Sequence, residues 1–117
     1  MRKPTQRFED LIVWQKTHAL VLAIYALTAA FPRQEQYGFT SQFRRAAVSV
    51  PANIAEGWRR MGIADKKRFY NISQSSLEEH RNYLLLSNDL KYGTTPEVNT
   101  LCEEVSKLLT AYMSKMI

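Results

Sequence analysis

The chain of 117 residues has a single cysteine, Cys102, so it cannot close an internal disulfide. It has two histidines, and no glutamate stands three residues ahead of either one. The Glu-x-x-His pairs that build di-metal sites in helical bundles are therefore missing, and no metal or other cofactor is expected. No Gly-x-x-x-x-Gly-Lys run is present to cradle a phosphate. The longest apolar stretch, Ala19 to Tyr25, is far short of the roughly 20 residues of a membrane span. Behind Met1 to Arg7 there is no apolar run of the signal-peptide kind. One thiol and no leader lead to the expectation of a cytoplasmic protein with no membrane partner. Alternating strand patterns are absent too.

What is present is helical periodicity. Expected helices cover about 12–30, 41–60, 65–91 and 95–116, all in one domain spanning 1–117. In the first, Leu11, Trp14, His18, Val21, Tyr25 and Thr28 make one row, and Val13, Leu20, Ile24, Leu27 and Phe31 a second. Thr40 or Ser41 is the expected N-cap of the second helix, and Gly62 its C-terminal cap. The expected inward face of the third is Phe69, Ile72, Ser76, Leu77, Tyr83, Leu84 and Leu90. The fourth opens with Thr95 as N-cap, Pro96 at the first helical position and Glu97 in the first turn. Short connections favour antiparallel neighbours, so the expected fold is an all-α, up-down-up-down antiparallel four-helix bundle.

The stretch SVPANIAEGWRR, Ser49 to Arg60, has apolar helical spacing yet carries a proline, an asparagine, a glutamate and a glycine. Registering the helices by length puts Asn53 level with His18, Glu56 with Trp14 and Gln15, Ser49 near Ser76 and Arg45 near Glu79. These polar groups are expected to form a buried, mutually satisfied layer of Trp14, His18, Asn53, Glu56, Ser76 and Glu79 that sets bundle register. Gly57 would admit another backbone or the Trp14 ring. A catalytic His18–Glu56 pair with Ser73 or Ser76 is the sharper reading. It is disfavoured because mid-helix serines lack an exposed turn and an oxyanion hole. No catalytic residue is expected.

Net charge is +5, and it is unevenly placed. Residues 1–68 hold twelve lysines and arginines against five acids, and residues 69–117 hold four against six. An up-down topology gathers the N-terminal tail, the turn between helices two and three, and the C-terminus at one end. Arg2, Lys3, Arg7, Arg59, Arg60, Lys66, Lys67 and Arg68 would meet there, with Lys115. Such a cluster suits phosphate backbones of RNA or DNA. Arg44 and Arg45 stand apart, and one of them is expected to pair with Glu78 or Glu79.

FEDLIVWQKTH (Phe8–His18), YGFTSQFRRAAVSVPANIAEGWRR (Tyr37–Arg60) and FYNISQSSLEE (Phe69–Glu79) together resemble the bacterial 23S rRNA-intervening sequence proteins. The accessory variability determinant of diversity-generating retroelements is a related member. The likeness centres on Asn53-Ile54-Ala55-Glu56-Gly57 after a mid-helix proline, and phenylalanines stand at 39 and 43 where leucines are usual. It implies a four-helix bundle assembled as a ring-like homopentamer, without enzymatic activity. The retroelement relative binds nucleic acid and a reverse transcriptase, so the implied partners are further copies of the chain, RNA or DNA, and such a protein. The double apolar row of helix one, with Trp58 and Tyr70 left over, agrees with burial against another subunit. A protein-binding module without nucleic acid is the alternative.

Overall fold

The computed structural model describes residues 4–93 and 95–116. Arg2 and Lys3 therefore lie outside the described residues. Helices α1 (Ile12–Thr28), α2 (Phe39–Arg59), α3 (Ile63–Asp89) and α4 (Pro96–Ser114) follow one another, with short 3-10 turns at Phe8–Asp10 and Arg33–Glu35. No strand occurs among the described residues, and none of their helices is long and apolar enough to cross a membrane.

Adjacent helices run antiparallel. Between α2 and α3, Phe43 meets His80, Val50 meets Ser73 and Gly57 meets Tyr70, so partners descend one helix as they climb the other. Between α3 and α4, Cys102 meets His80, Thr110 meets Gln74 and Tyr112 meets Tyr70. Thr95 caps α4 as expected, accepting from the Val98 amide at 3.2 Å. Other boundaries differ. The cap position of α2 is Gly38, and neither Thr40 nor Ser41 serves there. Gly62 does not close α2; it precedes the first turn of α3.

The widest helix–helix contact joins α2 and α3. On α2 the buried seam includes Phe43, Ala47, Val50, Ile54 and Gly57; on α3 it is Tyr70, Ser73, Leu77, His80, Leu84 and Ser87. Both rows step by alternating threes and fours, the interval of a seam between nearly aligned helices. Size is matched at two places on the seam, Gly57 facing the Tyr70 ring and Ser73 facing Val50, while Phe43 and His80 meet ring to ring. An alanine Cβ at position 57 would lie 2.7 Å from Cε1 of Tyr70, so glycine there is what lets the ring in. The guest is Tyr70, and Trp14 is not involved. Ser73 satisfies its buried hydroxyl by donating to the Val50 carbonyl at 2.6 Å.

This seam corrects the expected face of α3. Ile72 and Leu90 are exposed, while Tyr70, Ser73, His80 and Ser87 are buried. The apolar residues of α3 point part of a turn away from the seam, because three of its six positions carry Ser or His. On α1 the buried row is Val13, Thr17, Leu20, Ile24 and Thr28, and Trp14 and Val21 flank it half-buried.

The two ends differ. At one, Phe31 and Phe43 stack on Phe39, Tyr83 and Tyr92 lie tilted against them, and the Tyr92 hydroxyl donates to Glu35 at 3.0 Å. The other end carries Arg7, Arg59, Arg60, Lys66, Lys67 and Arg68.

Candidate nucleic-acid interface

Before α1, residues 6–11 fold back as a hook. The Asp10 carboxylate accepts from the backbone amides of Gln6 and Arg7, Gln15 donates to the Glu9 carbonyl, and the Phe8 ring stands edge-on to Trp14 at 5.2 Å. The hook lies against the last turns of α2, leaving a groove of about 490 Å³ bordered by Arg7, Phe8, Glu56, Trp58 and Arg59. Arg7 and Arg59, far apart in sequence, thus share one surface, and the Tyr70–Tyr112 contact draws the final turns of α4 toward the same end.

The cations of this end are not equivalent. Lys66 donates to the carbonyls of Trp58 at 2.7 Å and Gly57 at 3.2 Å in the last turn of α2, giving Trp58 a partner and joining the Arg60 amide on Gly57. Arg60 pairs with Glu56 at 3.2 Å, Arg68 pairs with Asp65 at 3.1 Å, and both guanidinium groups lie over the Phe69 ring at 4.6 and 4.8 Å. These contacts hold the α2–α3 turn in shape and use part of the charge locally. Arg59 and Lys67 are exposed and make no ion pair among the described residues, and Lys115 is exposed at the end of α4. Glu56-x-x-x-Arg60 and Asp65-x-x-Arg68 have helical pairing intervals, so those two pairs were readable in the sequence. Lys66 as a capping group was not.

The expected sealed polar layer divides. Ser49 and Ser76 share a hydrogen bond of 2.8 Å, and Asn53 donates to the Ser49 carbonyl and hydroxyl, all half-buried between α2 and α3. Within the chain, Glu56, His18 and Glu79 are not sealed. Glu56 leaves 58% of its side chain exposed beside Arg60. His18 is exposed and stacks on the half-buried Trp14 at 4.9 Å; Glu79 is exposed and accepts from Tyr83. The cause is helical phase: Ser49, Asn53, Glu56 and Arg60 form a row about 100° from the Val50–Ile54–Gly57 seam and emerge from the core as they ascend. His18 and Glu56 therefore face different partners and form no pair. The expected pairing of Arg44 or Arg45 with an acid also fails: Arg44 bonds Thr28, and Glu78 takes Arg81.

Residues 9–112 match the family model described as 23S rRNA-intervening sequence protein. The chain belongs to that family. A solved structure from the S23 ribosomal protein family, a protein with unknown function from Bacteroides thetaiotaomicron VPI-5482, superposes with a TM-score of 0.78. It is 22% identical, and the match covers 89% of this chain and 96% of that one. At that identity the likeness establishes a shared fold. No curated protein matches the chain. As a 23S rRNA-intervening sequence protein, the chain keeps its Asn-Ile-Ala-Glu-Gly run on α2, where Ile54 and Gly57 form the seam and Asn53 and Glu56 its flank.

Proposed function

We propose that this family member is a non-enzymatic homo-oligomeric scaffold that holds RNA or DNA by its phosphates at the basic end. The observation that carries the reading is that Arg59 and Arg7, the latter 3.9 Å from Glu9, line one hook groove beside a turn whose Lys67 has no acid partner among the described residues. Exposed cations of this kind bind phosphates by releasing counterions, without reading bases. Repetition around a ring, the homopentamer that the resemblance implies, would multiply a modest cluster into a strong one. Support for assembly comes from the outward face of α1. Ile12, Gln15, Ala19, Leu22 and Ala26 are exposed there, Leu22 to 60%, and the sole lysine of the helix is tied to Glu104 at 3.0 Å.

Reversing Arg59 and Lys67 together to glutamate lowers affinity for a mixed-sequence 30-nucleotide RNA about tenfold at constant salt, with the thermal midpoint unchanged. Fluorescence anisotropy and circular dichroism give the two readings. Full binding by the doubly reversed protein rejects the basic end as the interface.

A second reading, a protein-docking module free of nucleic acid, is favoured by one observation. Leu85, 68% exposed, shares the outer side of α3 with exposed Leu86. A reverse transcriptase or another protein would be the partner. Absence of RNA and DNA binding near physiological salt selects this reading.

A further inference from the structure

The groove between α1 and the first half of α2, toward the end opposite Arg59 and Lys67, has a chemistry of its own. It is an open groove of about 660 Å³. Tyr25, Tyr37, Thr40, Ser41, Arg44 and Arg45 line it, and no carboxylate does.

Arg44 is fixed in place. Its Nε donates to the Thr28 hydroxyl at 2.8 Å, and that hydroxyl donates onward to the Ile24 carbonyl at 2.7 Å. The guanidinium carbon lies 4.5 Å over the Tyr25 ring. Arg44 makes no ion pair among the described residues, and its contacts to Thr28 and, through Nη2 at 3.4 Å, to the Tyr25 carbonyl set its orientation while leaving its other guanidinium hydrogens for an anion. Arg45, one residue on, is exposed and makes no ion pair among the described residues.

The two nearest acids border the groove without lining it. Glu35 accepts from the Tyr92 hydroxyl at 3.0 Å, and Glu79, which borders the next groove with Arg45, accepts from Tyr83 at 3.3 Å. Thr40 and Ser41 add two hydroxyls from the first turn of α2, a turn that carries no acid. Tyr37, 91% exposed, offers a flat ring at the mouth.

We propose that this groove binds a nucleoside phosphate, with the phosphate between Arg44 and Arg45 and the base against Tyr37. A free nucleotide and the phosphorylated end of a strand share that chemistry. The site is separate from the basic end, so its test succeeds or fails independently of the charge reversal above.

The test is calorimetric titration of the full chain with AMP, inorganic phosphate and adenosine, and with a short oligoribonucleotide carrying either a 5′-phosphate or a 5′-hydroxyl. Arg45→Gln is the informative variant, because Arg45 holds no other group in place; Arg44→Gln would also release Thr28. AMP is expected to bind more tightly than either phosphate or adenosine. Arg45→Gln is expected to weaken it about tenfold at unchanged native mass, while the Arg59 and Lys67 reversals leave it intact. Preference for the 5′-phosphorylated oligonucleotide over AMP assigns the site to strand ends, and equal binding assigns it to the free nucleotide. Absence of AMP binding at millimolar concentration overturns the proposal, as does an Arg45→Gln affinity equal to the parent. A change of native mass in Arg45→Gln also overturns it, by making the groove a contact between copies.

Discussion

Gly57→Ala lowers the stability of the bundle by about 2 kcal/mol, although alanine is the better helix former. Propensity alone favours the change by about 1 kcal/mol, since a mid-helix glycine carries that cost. Packing opposes it. The new methyl would sit 2.7 Å from Cε1, 3.0 Å from Cζ and 3.1 Å from Cδ1 of Tyr70, a ring with no exposed surface. Tyr112 stands edge-on to that ring at 5.3 Å, which limits its retreat. Overpacking of this kind costs about 1–3 kcal/mol, and a ring held on its far side puts this site at the upper end, which leaves about 2 kcal/mol after the propensity gain. A second background checks the cause. When Tyr70 is replaced by leucine, the methyl gains room and the effect of Gly57→Ala changes sign. Urea unfolding of the four proteins of this cycle measures it. A loss of equal size in both backgrounds contradicts the ring-in-notch account.

Acid weakens the fold through His80. The side chain is fully buried, with Nδ1 3.8 Å from the Cys102 sulfur, the Phe43 ring edge-on at 5.1 Å and no partner for Nε2 among the described residues. Burial lowers its pKa from the ordinary 6.5 to about 4. Cys102 cannot supply an anion, because burial pushes its thiol up to about 11. Between these two histidine values the unfolded chain binds a proton that the folded chain refuses. Stability therefore rises with pH across this window, and the contribution is lost as pH falls from about 6.5 toward 4. The full difference is about 3 kcal/mol. His80→Leu removes this slope and spares the unpartnered nitrogen, so the variant is less sensitive than the parent between pH 7 and 4.5. Urea midpoints at several pH values compare the two, and the difference excludes the carboxylates common to both. Parallel curves contradict the assignment to His80.

Both effects come from the α2–α3 seam, and its legibility in the sequence was partial. Helix number, order and antiparallel arrangement were readable because Val13, Leu20 and Ile24 on α1, and Val98, Cys102, Val105 and Leu109 on α4, recur at helical spacing. Thr95-Pro96-Glu97 announced the start of α4, since cap, proline and acid each favour that place. The inward face of α3 was hidden because Ser73, His80 and Ser87 occupy seam positions. Their burial depends on partners in other segments, such as the Val50 carbonyl for Ser73 and the Gly93 carbonyl for Ser87. Glu56 lies on the flank because a shift of one residue along α2, about 100°, moves a side chain off the seam that Gly57 occupies. The hook that brings Arg7 to Arg59 rests on Asp10 capping its own turn, an interaction of three and four residues that topology alone does not give.

The central claim is that the chain's exposed cations serve phosphate backbones. The most direct measurement is the affinity for one DNA duplex of arbitrary sequence across salt from about 50 to 200 mM, plotted as log K against log salt. Contacts from about four cations predict a linear fall with a slope of about −3.6 or steeper, little altered by duplex sequence. A slope near zero, or no binding at the lowest salt, contradicts the claim and leaves the cationic end as a solvated surface.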